Sequence, residues 1–151
     1  MKFQDDPITD DEWVLRRVHR KEFVNLEPPE IQLYAFKPTV KGDFVDETGI
    51  SVYRQACITA IDDALAKVAK EKKCRYGVVA LQVGYLGSIG LHLIRDDDQV
   101  VPIVLGHVVM PGINSGNYSS SKDSVLAKMK QLSDYVNSQR SFLILPTAEI
   151  E

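Results

Sequence analysis

Cysteine is scarce in this chain: Cys57 and Cys74 are the only two, and neither stands at metal-ligand spacing or in a Cys-x-x-Cys pair. That excludes zinc-ribbon and dithiol redox classes. A basic excess is also missing, because 18 Lys and Arg face 21 Asp and Glu for a net charge of −3. Such a balance argues against a nucleic-acid partner held mainly by phosphate neutralisation. No run is long and apolar enough for a membrane span, and Met1 to Pro7 lacks the basic-then-apolar order of a signal peptide. With two thiols read as reduced, these absences point to a cytoplasmic protein. There is no phosphate-binding loop, no Gly-x-Gly-x-x-Gly opening a helix, no His-Glu-x-x-His and no Gly-x-Ser-x-Gly. Neither a cofactor nor a metal is therefore expected.

What is present has globular proportions: 44% hydrophobic and 26% charged residues over 151 positions suffice for one core. Four aspartates and Pro7 make residues 1–11 a loosely ordered lead-in, followed by one domain over 12–151. Alternation over Glu12 to Val18 predicts a strand, as do Ile31 to Phe36 and Ile50 to Tyr53. Pro28-Pro29 is expected to block regular structure, and Lys37 to Gly49 reads as a loop. Cys57, Ile61, Ala64, Leu65 and Val68 form an apolar stripe that predicts a helix from Arg54 to Lys72. A second helix is expected over Lys122 to Gln139, entered from Ser119-Ser120-Ser121, with Val125, Met129, Leu132 and Val136 buried. Tyr76 to Leu86, Ile89 to Arg95 and Val100 to Met110 read as an antiparallel meander turned at Gly87-Ser88 and at residues 96–99. Phe142 to Leu145, stopped by Pro146, closes the sheet.

The expected fold is α+β: a mostly antiparallel sheet of about five or six strands with two amphipathic helices packed on one face. Both faces of the meander are apolar, while two helices cover only one. Either the N-terminal segment or a second copy of the protein is expected across the other. On that ground the leading expectation is a non-catalytic interaction module, homodimeric through an apolar sheet face.

Candidate site residues are few. His107 sits in the apolar stretch Val100 to Ile113, where an imidazole needs a polar partner, a lost proton or a ligand. Packing is the simpler reading, and His92, on the same expected face, makes at most a partial metal site. Ser51, Tyr53 and Arg54 follow an acidic loop and can line a cleft; the plainer view makes Ser51 an outward strand residue and Arg54 a solvated helix start. Arg16, Arg17, His19, Arg20 and Lys21 cluster as an anion site, or as a solvated edge salt-bridged to Glu22, Glu27 and Glu30. An arginine on the first strand, a serine on a later one and terminal Glu149 and Glu151 resemble the site of ADP-ribosyltransferases. In that family the arginine grips the dinucleotide phosphates and the glutamate activates the nucleophile. Here Gly49-Ile50-Ser51-Val52 replaces the family's Ser-Thr-Ser. The resemblance implies a small enzyme acting on a nucleotide or nucleic-acid end through Arg16 or Arg17, Ser51, Tyr53 and His107 or Glu149. A small-ligand sensor using His92 and His107 is the third expectation.

Overall fold

The computed structural model describes residues 2–3, 6–42, 45–95 and 106–147. It is α+β. Six antiparallel strands form the main sheet in the order β6-β7-β4-β1-β5-β8, comprising β1 (Trp13–His19), β4 (Ile50–Arg54), β5 (Tyr76–Gln82), β6 (Ile94–Arg95), β7 (His107–Met110) and β8 (Phe142–Ile144). A small hairpin joins β2 (Phe23–Leu26) to β3 (Pro29–Ile31). The Pro28-Pro29 pair thus makes the hairpin turn, with a cis Glu27–Pro28 bond. Pro29 opens β3, where its missing N–H removes no interior ladder bond. Of the strand expected over Ile31 to Phe36 only Ile31 belongs to a strand; Leu33–Phe36 is a 3-10 turn that buries Ala35 and Phe36.

Helix α3 (Lys122–Gln139) spans the expected residues, and its stripe of Val125, Met129, Leu132 and Val136 is buried against the sheet core of Val14, Val18, Val52, Val79, Leu81 and Val108. The three serines before it belong partly to α2 (Ser115–Ser120), whose start is capped by the Asn114 side chain accepting from the Asn117 amide. Arg140 ends α3 at φ 53°, in the left-handed region. Arg140→Gly is expected to stabilise the fold by about 0.5 to 1 kcal/mol, read as a higher urea midpoint, because glycine adopts that conformation without Cβ strain.

The helix expected over Arg54 to Lys72 is absent. Arg54 is held in β4 opposite Val14, and the chain continues through 3-10 turns at Gln55–Cys57, Ile61–Leu65 and Lys70–Arg75. The Asp63 carboxylate accepts from the amides of Thr59 and Ala60, which holds this stretch in a turn and interrupts a continuous helix. Ile58, Ile61 and Ala64 lie three apart, a spacing that a three-residue helix places on one face. That face buries Ala64 and Leu65 on Leu15, Tyr53, Val78 and Ala80, with Ile58, Ile61 and Val68 beside them. The second sheet face is therefore closed here by residues 58–68, on the side opposite α3.

The meander is corrected at its first turn, while the expected turn at 96–99 and residues 100–105 of its third run lie outside the described residues. Strand β5 stops at Gln82 and turns into α1 (Val83–Ser88), because the amides of Val83 and Gly84 are taken by the carbonyls of Glu12 and Asp10. β5 then pairs with β1 and β8, not with β6. β6 and β7 do pair antiparallel, through Ile94 with Val109. Among the described residues no helix is long and apolar enough to cross a membrane.

Candidate functional site

Strand β4 lies between β1 and β7, so its alternate residues face different layers. Ile50 and Val52 point into the α3-side core; Ser51 and Tyr53 point the other way. The β4–β7 register sets Tyr53 opposite His107 and Ser51 opposite Val109. Diagonal neighbours across an antiparallel pair are within reach of long side chains, and here Ser51 Oγ and His107 Nε2 are 2.9 Å apart. The Tyr53 ring lies 5.5 Å from the imidazole at 47°. His107 and Tyr53 are buried, whereas Ser51 is partly exposed.

The two arginines of β1 separate. Arg17 shares the face of Leu15 and lies on the strand next to Ser51, and its Nη1 is buried with no hydrogen-bond partner. Arg16 points to the α3 side. The β1–β4 ladder holds for two pairs, Val14 with Arg54 and Leu15 with Tyr53. Past it the Arg16 side chain spans the gap, its Nη1 donating to the Ser51 carbonyl at 3.0 Å and its Nε to the Ala35 carbonyl at 3.2 Å. Burial pushes the Arg16 guanidinium down to about 10, partly opposed by Asp46. Arg16 is thus a support for Ser51, and Arg17 is the cation on the Ser51–His107 face.

Gly106 sets the position of His107. It has φ +84° and its carbonyl accepts from the Arg54 amide at 2.9 Å, a conformation and a closeness that only glycine allows without strain. His92 is exposed and outside the strands, so it does not join His107. Glu149 and Glu151 lie outside the described residues. Among those residues no group of three His, Cys, Asp or Glu side chains is disposed to hold a metal ion.

Arg54 is not a solvated helix start. It is wholly buried and forms a two-bonded pair with Glu12, Nε to Oε1 at 2.9 Å and Nη2 to Oε2 at 3.0 Å. Its guanidinium also donates to the carbonyls of Asp6 and Pro7, at 2.8 and 3.1 Å. Lys2 and the Thr9 amide complete the shell of Glu12. Burial alone would raise the Glu12 carboxyl; the bonds from Arg54, Thr9 and Lys2 outweigh it and hold it down at about 2. A shallow hollow of about 330 Å³ opens beside this pair, between Lys2, Trp13 and Gln55. It lies past the other end of β4 from Ser51, and the Glu12 carboxylate on its wall is already engaged. The alternation Ile50, Val52, Arg54 was the available sign that this arginine faces inward.

The basic cluster departs from expectation as well. None of Arg16, Arg17, Arg20 or Lys21 forms an ion pair with Glu22, Glu27 or Glu30, and Glu22 accepts instead from the Gln32 side-chain amide at 2.8 Å. Comparison with family models, with curated proteins and with solved structures found no match to this chain.

Chemically, Ser51 and His107 make a proton-transfer unit. The hydroxyl either donates to an unprotonated Nε2 or accepts from a protonated one, and a histidine so placed can take the serine proton as the oxygen attacks. Arg17, with a donor the protein does not use, suits an anionic group beside that oxygen.

Proposed function

We propose that the protein is a small enzyme acting on a phosphate ester, a nucleotide or a nucleic-acid end. The reading is carried by the 2.9 Å contact of Ser51 Oγ with His107 Nε2 on a face that also carries Arg17. In this reading Ser51 Oγ forms a bond to phosphorus while His107 takes its proton. The ester bond to the leaving oxygen breaks, and His107 returns the proton to that oxygen. Water then cleaves the serine phosphate, its proton returning to Oγ through His107. Arg17 neutralises the phosphoryl charge, and Tyr53 packs the imidazole in place.

The test is phosphate release from 5′-phosphorylated mononucleotides and oligonucleotides, together with thermal shift under the same compounds. Ser51→Ala and His107→Gln are each expected to lower the rate by about 10²-fold or more, the usual contribution of a positioned base. Arg17→Gln is expected to act mainly on KM. A Ser51→Ala protein as active as the parent, or a wild type that neither releases phosphate nor gains stability with any of these compounds, sinks the proposal.

A second reading, the interaction module, is favoured by one observation. Among the described residues strand β8 ends the sheet, and Leu143 and, just after it, Leu145 are 42% and 39% exposed; an apolar sheet edge is a template for strand addition. Sedimentation of the parent and of Leu143→Asp separates the two readings. A dimer lost in the variant, without phosphate release by either protein, selects the module.

A further inference from the structure

The overall charge of −3 conceals a strongly uneven distribution. β1 runs into the 3-10 turn Arg20–Glu22, and its last residue, His19, pairs with Tyr76, the first residue of β5. Tyr76 is itself preceded by the 3-10 stretch Lys70–Arg75. Antiparallel pairing therefore brings two distant basic segments to the same end of the sheet. Residues 17–22 and 70–76 hold Arg17, Arg20, Lys21, Lys70, Lys72, Lys73 and Arg75 against two acids, Glu22 and Glu71. The closeness is felt at His19, whose imidazole is pushed below its ordinary value by burial first, then by the charges of Lys21 and Arg75.

Three further observations show what this end is suited to hold. Among the described residues none of the seven cations forms an ion pair. Arg17 Nη1 and Arg20 Nε are buried without hydrogen-bond partners, donors that a native protein normally satisfies. Between the basic segments lie His19 and Tyr76, both part-exposed, with ring centroids 5.1 Å apart and planes at 82°. Unpaired cations in a row with aromatic rings among them are the components of a single-strand nucleic-acid groove: charge follows the backbone and rings meet bases. Seven cations spread over two segments suit a chain of phosphates better than a single one.

We infer that single-stranded nucleic acid binds along this end of the sheet, its backbone over Lys21, Arg75 and the neighbouring lysines and its terminal phosphate at Arg17. The binding itself follows from the patch; only the placement of the terminal phosphate beside Ser51 rests on the function proposed above. The net charge hid this surface because the acids lie elsewhere, four of them in the first eleven residues.

Fluorescence anisotropy of a short labelled single strand, with 5′-phosphate or 5′-hydroxyl, tests it on the full chain. Affinity is expected to fall steeply between about 50 and 200 mM salt, with a slope near −0.7 per phosphate contacted. Lys21→Glu with Arg75→Glu, both at exposed positions, is expected to weaken binding about tenfold or more and to flatten the salt slope by about one per lost contact. Its circular dichroism and thermal midpoint should remain those of the parent. Arg17→Gln is expected to erase any preference for the 5′-phosphate. Absence of binding at about 100 μM protein in low salt, or equal affinity in the double variant, overturns the inference. So does binding to phosphatidylserine vesicles without binding to the oligonucleotide. If oligonucleotide binding fails but Ser51-dependent release of phosphate from mononucleotides persists, this inference falls and the proposed function stands. Binding that depends on Lys21 and Arg75 without phosphate release supports the inference and removes the chemistry.

Discussion

Glu12→Ala is expected to lower the unfolding free energy by about 3 to 5 kcal/mol, the usual result of leaving one partner of a buried ion pair unpaired. The partner left behind is Arg54, wholly buried and bonded on its other side to the carbonyls of Asp6 and Pro7. Against a typical total stability of about 5 to 15 kcal/mol, the variant is expected to unfold at much lower urea. It should also lose the first residues to protease early, since Glu12 holds Lys2 and Thr9 through its own carboxylate. Replacing both partners, Glu12→Leu with Arg54→Met, is expected to recover part of the loss because no charge then remains buried. If Glu12→Ala unfolds at the same urea concentration as the parent, the pair is not a determinant of the fold.

The same carboxylate makes stability fall in acid. Its folded pKa, about 2, is depressed from an ordinary 4.5, so its contribution is complete above the unfolded value and drains away as pH drops from about 5 toward 2. The shift corresponds to about 3 kcal/mol at neutral pH by linkage. Urea midpoints measured across that window should converge for parent and Glu12→Gln at the acid end. Midpoints that stay equally far apart throughout would assign the difference to packing.

Gly106→Ala is the second large effect, expected to cost about 2 to 5 kcal/mol, the sum of left-handed backbone strain and overpacking. At φ +84° a Cβ would meet the Cys57 Cβ at 2.8 Å and the Arg54 carbonyl oxygen at 3.0 Å. Both neighbours belong to the turn that follows β4 and to β4 itself, so relief requires moving either that turn or His107. The variant should therefore lose stability and the Ser51–His107 contact together. Ser51→Ala, by contrast, is expected to cost about 1 to 3 kcal/mol, because it takes one hydrogen-bond partner from Nε2 of the buried His107 without straining the backbone. A Gly106→Ala protein of parental stability would show that β7 can shift freely.

Which parts of this arrangement were readable in one dimension follows from the range of the interactions. Helix α3 was legible to its ends because its apolar stripe repeats at 3.6 residues and every contact that defines it as a helix is local. Strands β1 and β8 were legible by alternation and by Pro146. The stretch 54–72 was misread because spacings of three and four serve a 3-10 turn as well as an α-helix, and the capture of two amides by Asp63 leaves no signature in a hydrophobic pattern. Sheet order was beyond reach. β5 joins β1, more than fifty residues upstream, rather than its sequence neighbour β6.

The site divides the same way. Ser51, Tyr53, His107 and the two arginines could each be named from residue type and context. Their grouping depends on the β4–β7 register, which joins residues 56 apart, and on the pleat that sends Arg17 to one face and Arg16 to the other. The buried Glu12–Arg54 pair was invisible for a related reason: Glu12 sits beside an acidic lead-in, and its partner is 42 positions away.

Ser51 has a mechanical role that its hydroxyl alone does not reveal. Its carbonyl is gripped by Arg16, which is also tied to Ala35, while its side chain meets His107. One residue is thus fastened on both faces of the sheet, its main chain to the Arg16 side chain that runs on to Ala35 and its oxygen to His107 of the neighbouring strand β7. Sliding β4 lengthwise would have to break both fastenings at once, so the hydroxyl keeps its depth and aim whatever the surface loops do. Stiffness of this kind is inherited from a cation on the far side, and a survey of substitutions confined to the visible face would never find it.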